Sequence, residues 1–288
     1  MALLRLVQPL AVLMSVATSG CLVFNESCPV SRPEVWGQLN VQLDIRRETV
    51  RRCEAAVGNL IADAMLNYHY GLRDQDGEIA PKVALINAGA IRDEISCGAA
   101  GEKREYLKVG PITDLDVFQL LPFNNTVVVV EMSGRRLKNI LEWGVSALGQ
   151  EGKAGEKGYF LQVAAENGIK ITVDCSQPPQ TLSADRKQIA TYGSRISSVT
   201  IAGQPLIEDA IYRVATLDYL LGTDENKVPN DGFVAFRDEA TTPPIKEYPT
   251  HLPLTDVLRV WLGKPFAVDY PSVEGRIEQL NCNYQCQR

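Results

Sequence analysis

Four consecutive valines, Val127 to Val130, lie inside the most β-prone run of the chain, Thr126 to Met132. Side chains branched at Cβ favour an extended, pleated backbone. Ser133 follows at once. It is a residue type that caps a helix by accepting a bond from an otherwise unpartnered backbone N–H. The spacing beyond it predicts a helix over Gly134 to Leu148. A chain that passes from strand to helix across a single residue has to layer the two, so the fold class is α/β or α+β.

The same alternation runs through the chain. Val41 to Ile45 alternates as a short strand. Val57, Leu60, Ile61, Ala64, Met65 and Tyr68 recur at helical spacing within Glu54 to Tyr70. Arg73 to Glu78 is a loop, and Val83 to Ile86 is a strand of buried type. Pro111 to Leu121 reads as a short helix with proline in its first turn. Gly149 to Gly158 reads as a flexible charged loop. Strands follow at Phe160–Val163, Ile169–Val173, Ile196–Ile201 and Tyr212–Ala215. A loop covers Gly222 to Gly232, a helix Leu254–Leu262 and a last strand Val273–Ile277. Several strands follow one another after residue 159, so a mixed sheet is expected rather than a purely parallel one. The domain reads as residues 38–280, after a linker at 21–37 and before a cysteine-containing tail at 281–288.

Among 288 residues, 45% are hydrophobic and 22% charged, enough to bury a sizeable core. The net charge is -6 and no long basic run occurs, which argues against nucleic acid as a partner. The densest basic clusters are Arg46-Arg47 and Arg51-Arg52. They read either as a solvated strand end and helix start or as an anion site at a helix N-terminus.

Residues 1–20 read as an export signal. Arg5 precedes the apolar stretch Leu6 to Val16, and the small residues Ala17 to Gly20 lead to Cys21. A cysteine at that point also resembles a bacterial lipoprotein signal, although Thr18 stands where leucine is usual. The localisation expected is secreted or cell-envelope, with membrane contact only through a lipid on Cys21. The chain has seven cysteines. Lipidation of Cys21 would leave six that can all pair. Cys282 and Cys286 pair with each other or with distant partners.

Hydrolysis at two metals draws on a cage of His, Asp and Asn ligands. Only two histidines occur, His69 and His251, and neither sits in a metal-binding pattern. No GxSxG or GxxxxGK[ST] motif is present. Expected here are no catalytic residues, no metal ligands and no cofactor within the chain.

Three segments carry binding chemistry. Leu85-Ile86-Asn87-Ala88-Gly89-Ala90-Ile91-Arg92 ends a strand in small residues that let backbone amides approach a ligand. It also presents Asn87, a donor and acceptor suited to a base edge, and Arg92, a donor fork suited to phosphate. Leu120-Leu121-Pro122-Phe123-Asn124-Asn125 places an aromatic ring before the valine strand. Ala215-Thr216-Leu217-Asp218-Tyr219-Leu220 leads to Asn230-Asp231-Gly232-Phe233.

These segments resemble the C-terminal, nucleotide-recognition domain of the 5′-nucleotidase family. NAGAIR is similar to the family's NGGGIR, GYFLQVA to GEFLQV, GNLIADAM to GNLICDAM, and YPSVEGRI to YPAVEGRI. LPFNNTVVVVEMSGRRLKNILE and YRVATLDYLL with NDGF also follow family segments, in order from about Leu43 to Ile277. The resemblance implies that a base stacks between Phe123 and Tyr219, where the family more commonly has phenylalanine at the second position. It implies that Arg51 and Arg92 meet the nucleotide, that Asn87 lies near base and ribose, and that Asp231 accepts from ribose hydroxyls. The structural alternative puts the two rings in the core, Asn87 and Asp231 in turn caps and Arg51 on the surface. Pro229 and Asn230 replace the glycines of the family's GGD, and residues from Glu225 to Val228 look inserted.

The family's metallophosphatase domain, with its two divalent metals, has no counterpart before Leu43. The expectation is therefore an exported nucleotide- or nucleoside-binding domain without a dinuclear centre of its own. The alternative is the recognition part of a split 5′-nucleotidase completed by a separate metallophosphatase chain. A scaffold that has lost its ligand is the third reading, and retention of the site residues argues against it.

Overall fold

The computed structural model describes residues 33–93, 104–149, 157–222, 228–264, 273–284 and 286. The signal segment, Cys21, Cys28, Cys97, most of the Gly149–Gly158 loop and Glu225 to Lys227 lie outside them.

The valine run forms the strand Thr126–Ser133, buried on both faces from Val127 to Val130. It lies within a five-stranded sheet ordered Lys246–Pro253, Thr126–Ser133, Ile211–Leu217, Val83–Asn87, Leu161–Ala165. Ile211–Leu217 and Val83–Asn87 run parallel, and every other neighbouring pair is antiparallel. The sheet is mixed, as the succession of strands implied. Helix Ala56–Asn67 packs across Val83–Asn87 and Leu161–Ala165. Its face of Val57, Leu60, Ile61, Ala64 and Met65 is removed from water. Each large apolar side chain among them contributes about 1.5–3 kcal/mol on burial.

Ser133 caps the helix Gly134–Gly144, its Oγ accepting from the Arg136 amide at 3.3 Å. The predicted end at Leu148 gives way to turns after Gly144. The Arg136 guanidinium, 2% exposed, donates to the carbonyls of Ala235 (2.6 Å), Phe236 (3.2 Å), Asp238 (3.0 Å), Thr241 and Pro243 (3.3 Å). A buried cation is thus balanced by carbonyl dipoles, and the segment after Asp231 is tied to this helix.

A second sheet is ordered Gln204–Pro205, Ile196–Ile201, Ile169–Asp174, Ile277–Leu280. Its last strand pairs parallel with Ile169–Asp174. Two disulfides bind the C-terminal tail to distant segments, Cys53–Cys286 and Cys175–Cys282. Cys282 and Cys286 therefore take distant partners rather than each other.

Four local expectations are corrected. Pro111 belongs to the strand Gly110–Thr113, which pairs with Val35–Leu39, and the helix begins only at Asp114. The reason is a capping box: Thr113 Oγ1 accepts from the Asp116 amide, and Asp116 Oδ2 accepts from the Thr113 amide. Because Val35 pairs in that strand, the end of the expected linker is part of the fold. The last strand is Ile277–Leu280 rather than Val273–Ile277. Lys246–Pro253, an edge strand with two prolines and a bulge between Pro249 and Leu252, carries no strand-like pattern in the sequence. No helix among the described residues is long and apolar enough to cross a membrane.

Candidate functional site

Sheet register decides which loops meet. Leu217, at the end of its strand, pairs with Val127 near the start of the valine strand. Asn87, at the end of its strand, pairs with Leu161 at the start of the next. The segments following Asn87 and Leu217 and those preceding Thr126 and Leu161 therefore gather at one end of the sheet. They enclose a cleft of about 320 Å³ lined by Arg51, Asn87, Arg92, Phe123, Tyr219 and Asp231. All six residues singled out in the sequence meet there. Gly89, Ala90, Asn125, Lys157, Gly158 and Tyr159 complete the lining.

One wall is aromatic and cationic. Phe123 is 47% exposed, so it stands at the rim and not in the core. The Arg92 guanidinium lies 5.4 Å from its ring centroid. Such a contact holds the cation in place through the ring's negative face.

Arg51 is 7% exposed and follows the single helical turn Arg47–Val50. Burial, together with the neighbouring cations Arg47 and Arg92, pulls its pKa down to about 10. Asp93 and Asp231 act in the opposite sense. Gln162, itself fully buried, fixes this segment. Its Nε2 donates to the carbonyls of Val50 and Cys53, both at 2.8 Å, and its Oε1 accepts from the Ala55 amide at 3.0 Å. Glycine at position 58 makes room for it, because a Cβ there would lie 2.3 Å from Gln162 Cγ.

Asn87 is 2% exposed, and its Oδ1 has no hydrogen-bond partner among the described residues. An acceptor buried in this way costs about 1–3 kcal/mol. A ligand donor in the cleft would remove that cost.

Another part of the lining is built around Asp231, which adopts a left-handed backbone with φ 54°. Asp tolerates that region better than most residues. Its carbonyl accepts from Trp143 Nε1 at 2.9 Å, and its Oδ1 accepts from the Tyr219 hydroxyl at 3.1 Å. Asn230, one of the residues in place of the family glycines, donates from Nδ2 to the Tyr219 carbonyl at 2.8 Å. Burial, and then the adjacent Asp231 carboxylate, pushes the Tyr219 phenol up to about 12. Trp143 also packs on Tyr159, with ring centroids 5.0 Å apart.

Two readings of the sequence change. Of the small residues after Asn87, Ala88 and Gly89 do not free their amides for a ligand. The Ala88 amide bonds to Phe160 O at 2.7 Å and the Gly89 amide to Gly158 O at 3.1 Å. Glycine is required at 158, since a Cβ there would lie 2.4 Å from Gly89 Cα. The arginine pairs also do not form one anion site: Arg46 and Arg47 open the single helical turn Arg47–Val50, Arg51 and Arg52 follow it, and the long helix begins only at Ala56. Arg46 pairs with Asp44 at 2.7 Å, Arg52 lies over Tyr284 at 5.1 Å, and only Arg51 of the four lines the cleft.

Lys157, Tyr159 and Asn125 are cleft residues that sequence reasoning does not single out. Each lies in or beside a segment that carries the family resemblance, GYFLQVA or LPFNN, and that adjacency is the available signal. Among the described residues, no group of three His, Cys, Asp or Glu side chains is placed to hold a metal ion. His69 Nδ1 lies 2.9 Å from Glu78 with both side chains exposed, and His251 is exposed on the edge strand. These residues do not fit the family's pair of divalent metals.

Comparison with known proteins gives a consistent result. The family model described as 5′-nucleotidase, C-terminal domain, matches residues 35–231. The 5′-nucleotidase of Mus musculus is 30% identical over 242 residues, covering 84% of this chain and 36% of its own length. The trifunctional nucleotide phosphoesterase protein YfkN of Bacillus subtilis is 30% identical over 244 residues, 85% of this chain and 14% of that protein. The solved structure of a 5′-nucleotidase precursor from Thermus thermophilus superposes with a TM-score of 0.61 at 30% identity, covering 86% of this chain and 40% of that one. The chain thus spans about a third of the length of the mouse relative, 36%.

Proposed function

Because this chain belongs to the family of 5′-nucleotidase C-terminal domains, we propose that its cleft binds a nucleoside or nucleotide. The base stacks between Phe123 and Tyr219, Asn87 meets its edge or the ribose, and Asp231 accepts from the ribose hydroxyls. Arg51 and Arg92 attract the phosphate. The observation that carries this reading is the convergence of those six residues on one cleft of about 320 Å³, from five separate segments. That volume lies at the lower end for small-molecule sites, about 300–1,000 Å³.

The chain is read as an exported binding domain. Two disulfides support an oxidising compartment, where such bonds persist. A second reading, recognition part of a split 5′-nucleotidase, draws support from the family model, which is that of the 5′-nucleotidase C-terminal domain. In that case a separate metallophosphatase chain supplies the hydrolytic chemistry.

Calorimetric titration with adenosine and AMP tests the first reading, and heat of binding is expected for both. Absence of binding sinks it. Phosphate release from AMP, assayed with added divalent metal, is expected to be absent for the purified chain and to appear only with a metallophosphatase partner. Release by the pure chain contradicts both readings.

A further inference from the structure

We infer that the Tyr219 hydroxyl is a specificity-determining positioning group, which sets the Asp231 carboxylate for a vicinal diol and so makes the cleft prefer ribosides to deoxyribosides. The inference rests on the proposed nucleoside reading of the cleft.

Asp231 occupies an unusual position for an acceptor that has to be rigid. It sits in a three-residue turn, Asn230–Gly232, with φ 54° at Asp231 and 81° at Gly232. Glycine at 232 tolerates its own conformation, but a Cβ there would lie 2.7 Å from the Trp143 ring. The turn is therefore pressed against Trp143, which also donates to the Asp231 carbonyl. Those contacts fix the backbone of Asp231 and leave its side-chain torsions open.

The Tyr219 hydroxyl supplies the missing restraint. It donates to Asp231 Oδ1 at 3.1 Å. The phenol is itself anchored, because the one-turn helix Asp218–Leu221 is held in place by its neighbours. Asp218 accepts from the Thr126 amide at 3.0 Å and from its hydroxyl at 2.7 Å, and Asn230 Nδ2 donates to the Tyr219 carbonyl. Tyr219 and Asp231 thus form a closed ring of contacts through Asn230.

At 3.1 Å the phenol–carboxylate contact is longer than a charge-assisted bond and acts as an ordinary hydrogen bond that restrains the carboxylate. It engages one oxygen from one side and restricts rotation of the carboxylate. A carboxylate so restrained can accept two adjacent hydroxyls at once, while a freely rotating one loses entropy on doing so. Phenylalanine at 219 would stack a base equally well and lack this restraint. Tyrosine here therefore adds selection for the sugar to a residue that otherwise only provides a ring face.

The test compares adenosine with 2′-deoxyadenosine by calorimetry in the unaltered protein, Tyr219→Phe and Asp231→Asn. The unaltered protein is expected to prefer adenosine by about tenfold, the factor one charge-assisted hydrogen bond supplies. In Tyr219→Phe the ratio of the two affinities is expected to fall severalfold, a change that a general loosening of the fold, which weakens both ligands alike, does not produce. A preference that is unchanged in Tyr219→Phe, or that survives Asp231→Asn, overturns the inference and leaves the nucleoside reading standing. Binding of both ligands without preference in the unaltered protein does the same. Failure of the unaltered protein to bind either ligand overturns the nucleoside reading and this inference with it.

Discussion

The two large sheets of this molecule are stabilised in different ways. In the five-stranded sheet, Val83–Asn87 and Leu161–Ala165 are buried at every position. In the four-stranded sheet, Ile169–Asp174 alternates between buried and more exposed residues, and Ile277–Leu280 has no fully buried residue. The strands Val83–Asn87, Leu161–Ala165 and most of Thr126–Ser133 in the first sheet are held by burial on both faces. The second has one apolar face and is tied at its C-terminal edge by disulfides Cys53–Cys286 and Cys175–Cys282. The candidate cleft grows from the ends of strands that carry no disulfide, and only its Arg51 segment is tied covalently, through Cys53. A rigid core of doubly buried strands is a suitable platform for placing side chains from five segments within one ligand's reach.

The comparison breaks first at the centre. Leu85→Ala removes a fully buried side chain from the strand that ends in Asn87. It is expected to cost about 2–5 kcal/mol of stability, read by denaturant titration, with ligand affinity falling as well. A loss under about 1 kcal/mol would mean that the sheet relaxes around the cavity and is not the rigid platform described.

At the other sheet, replacing Cys175 and Cys282 together by serine opens a link of sequence separation 107. The expected cost is about 2–4 kcal/mol, with adenosine affinity unchanged. Affinity falling in step with stability would erase the distinction between the two sheets.

Gln162→Met separates holding the cleft from being part of it. The substitution deprives the carbonyls of Val50 and Cys53 and the Ala55 amide of their partner, at a cost of about 1–3 kcal/mol. Since these groups frame Arg51, AMP affinity is expected to fall more than adenosine affinity. Equal losses would assign Gln162 to stability alone.

Phe123→Ala acts at the rim and leaves the core untouched. Base binding is expected to weaken by about 1–3 kcal/mol, the range for a base stacked on an aromatic side chain, with stability nearly unchanged because Phe123 is 47% exposed. Unchanged affinity would remove it from the base site.

Much of this architecture is readable in the chain. The valine run, the Ser133 cap, the helix Leu254–Leu262 and the strand Ile196–Ile201 follow from local chemistry: branched side chains, a capping hydroxyl and apolar periodicity act over a few residues. Lys246–Pro253 is illegible for a physical reason. An edge strand is paired on one side only, so prolines and a bulge are tolerated and the usual alternation is absent. Pro111 misleads because proline suits both a first helical turn and a strand, and the Thr113–Asp116 box decides between them.

Local chemistry along the chain indicated the kinds of element and the mixed sheet, and the family resemblance named six candidate residues spread from Arg51 to Asp231. Tertiary structure alone decided that these residues meet, because register between Leu217 and Val127 and between Asn87 and Leu161 is a long-range matter. It also decided that the glycines at 89 and 158 serve each other, and that Gln162 stands behind Arg51. The bond from Tyr219 to Asp231 belongs to the same class. A hydroxyl's partner across a turn depends on backbone angles and on what presses against the turn, and neither is written in the order of residues.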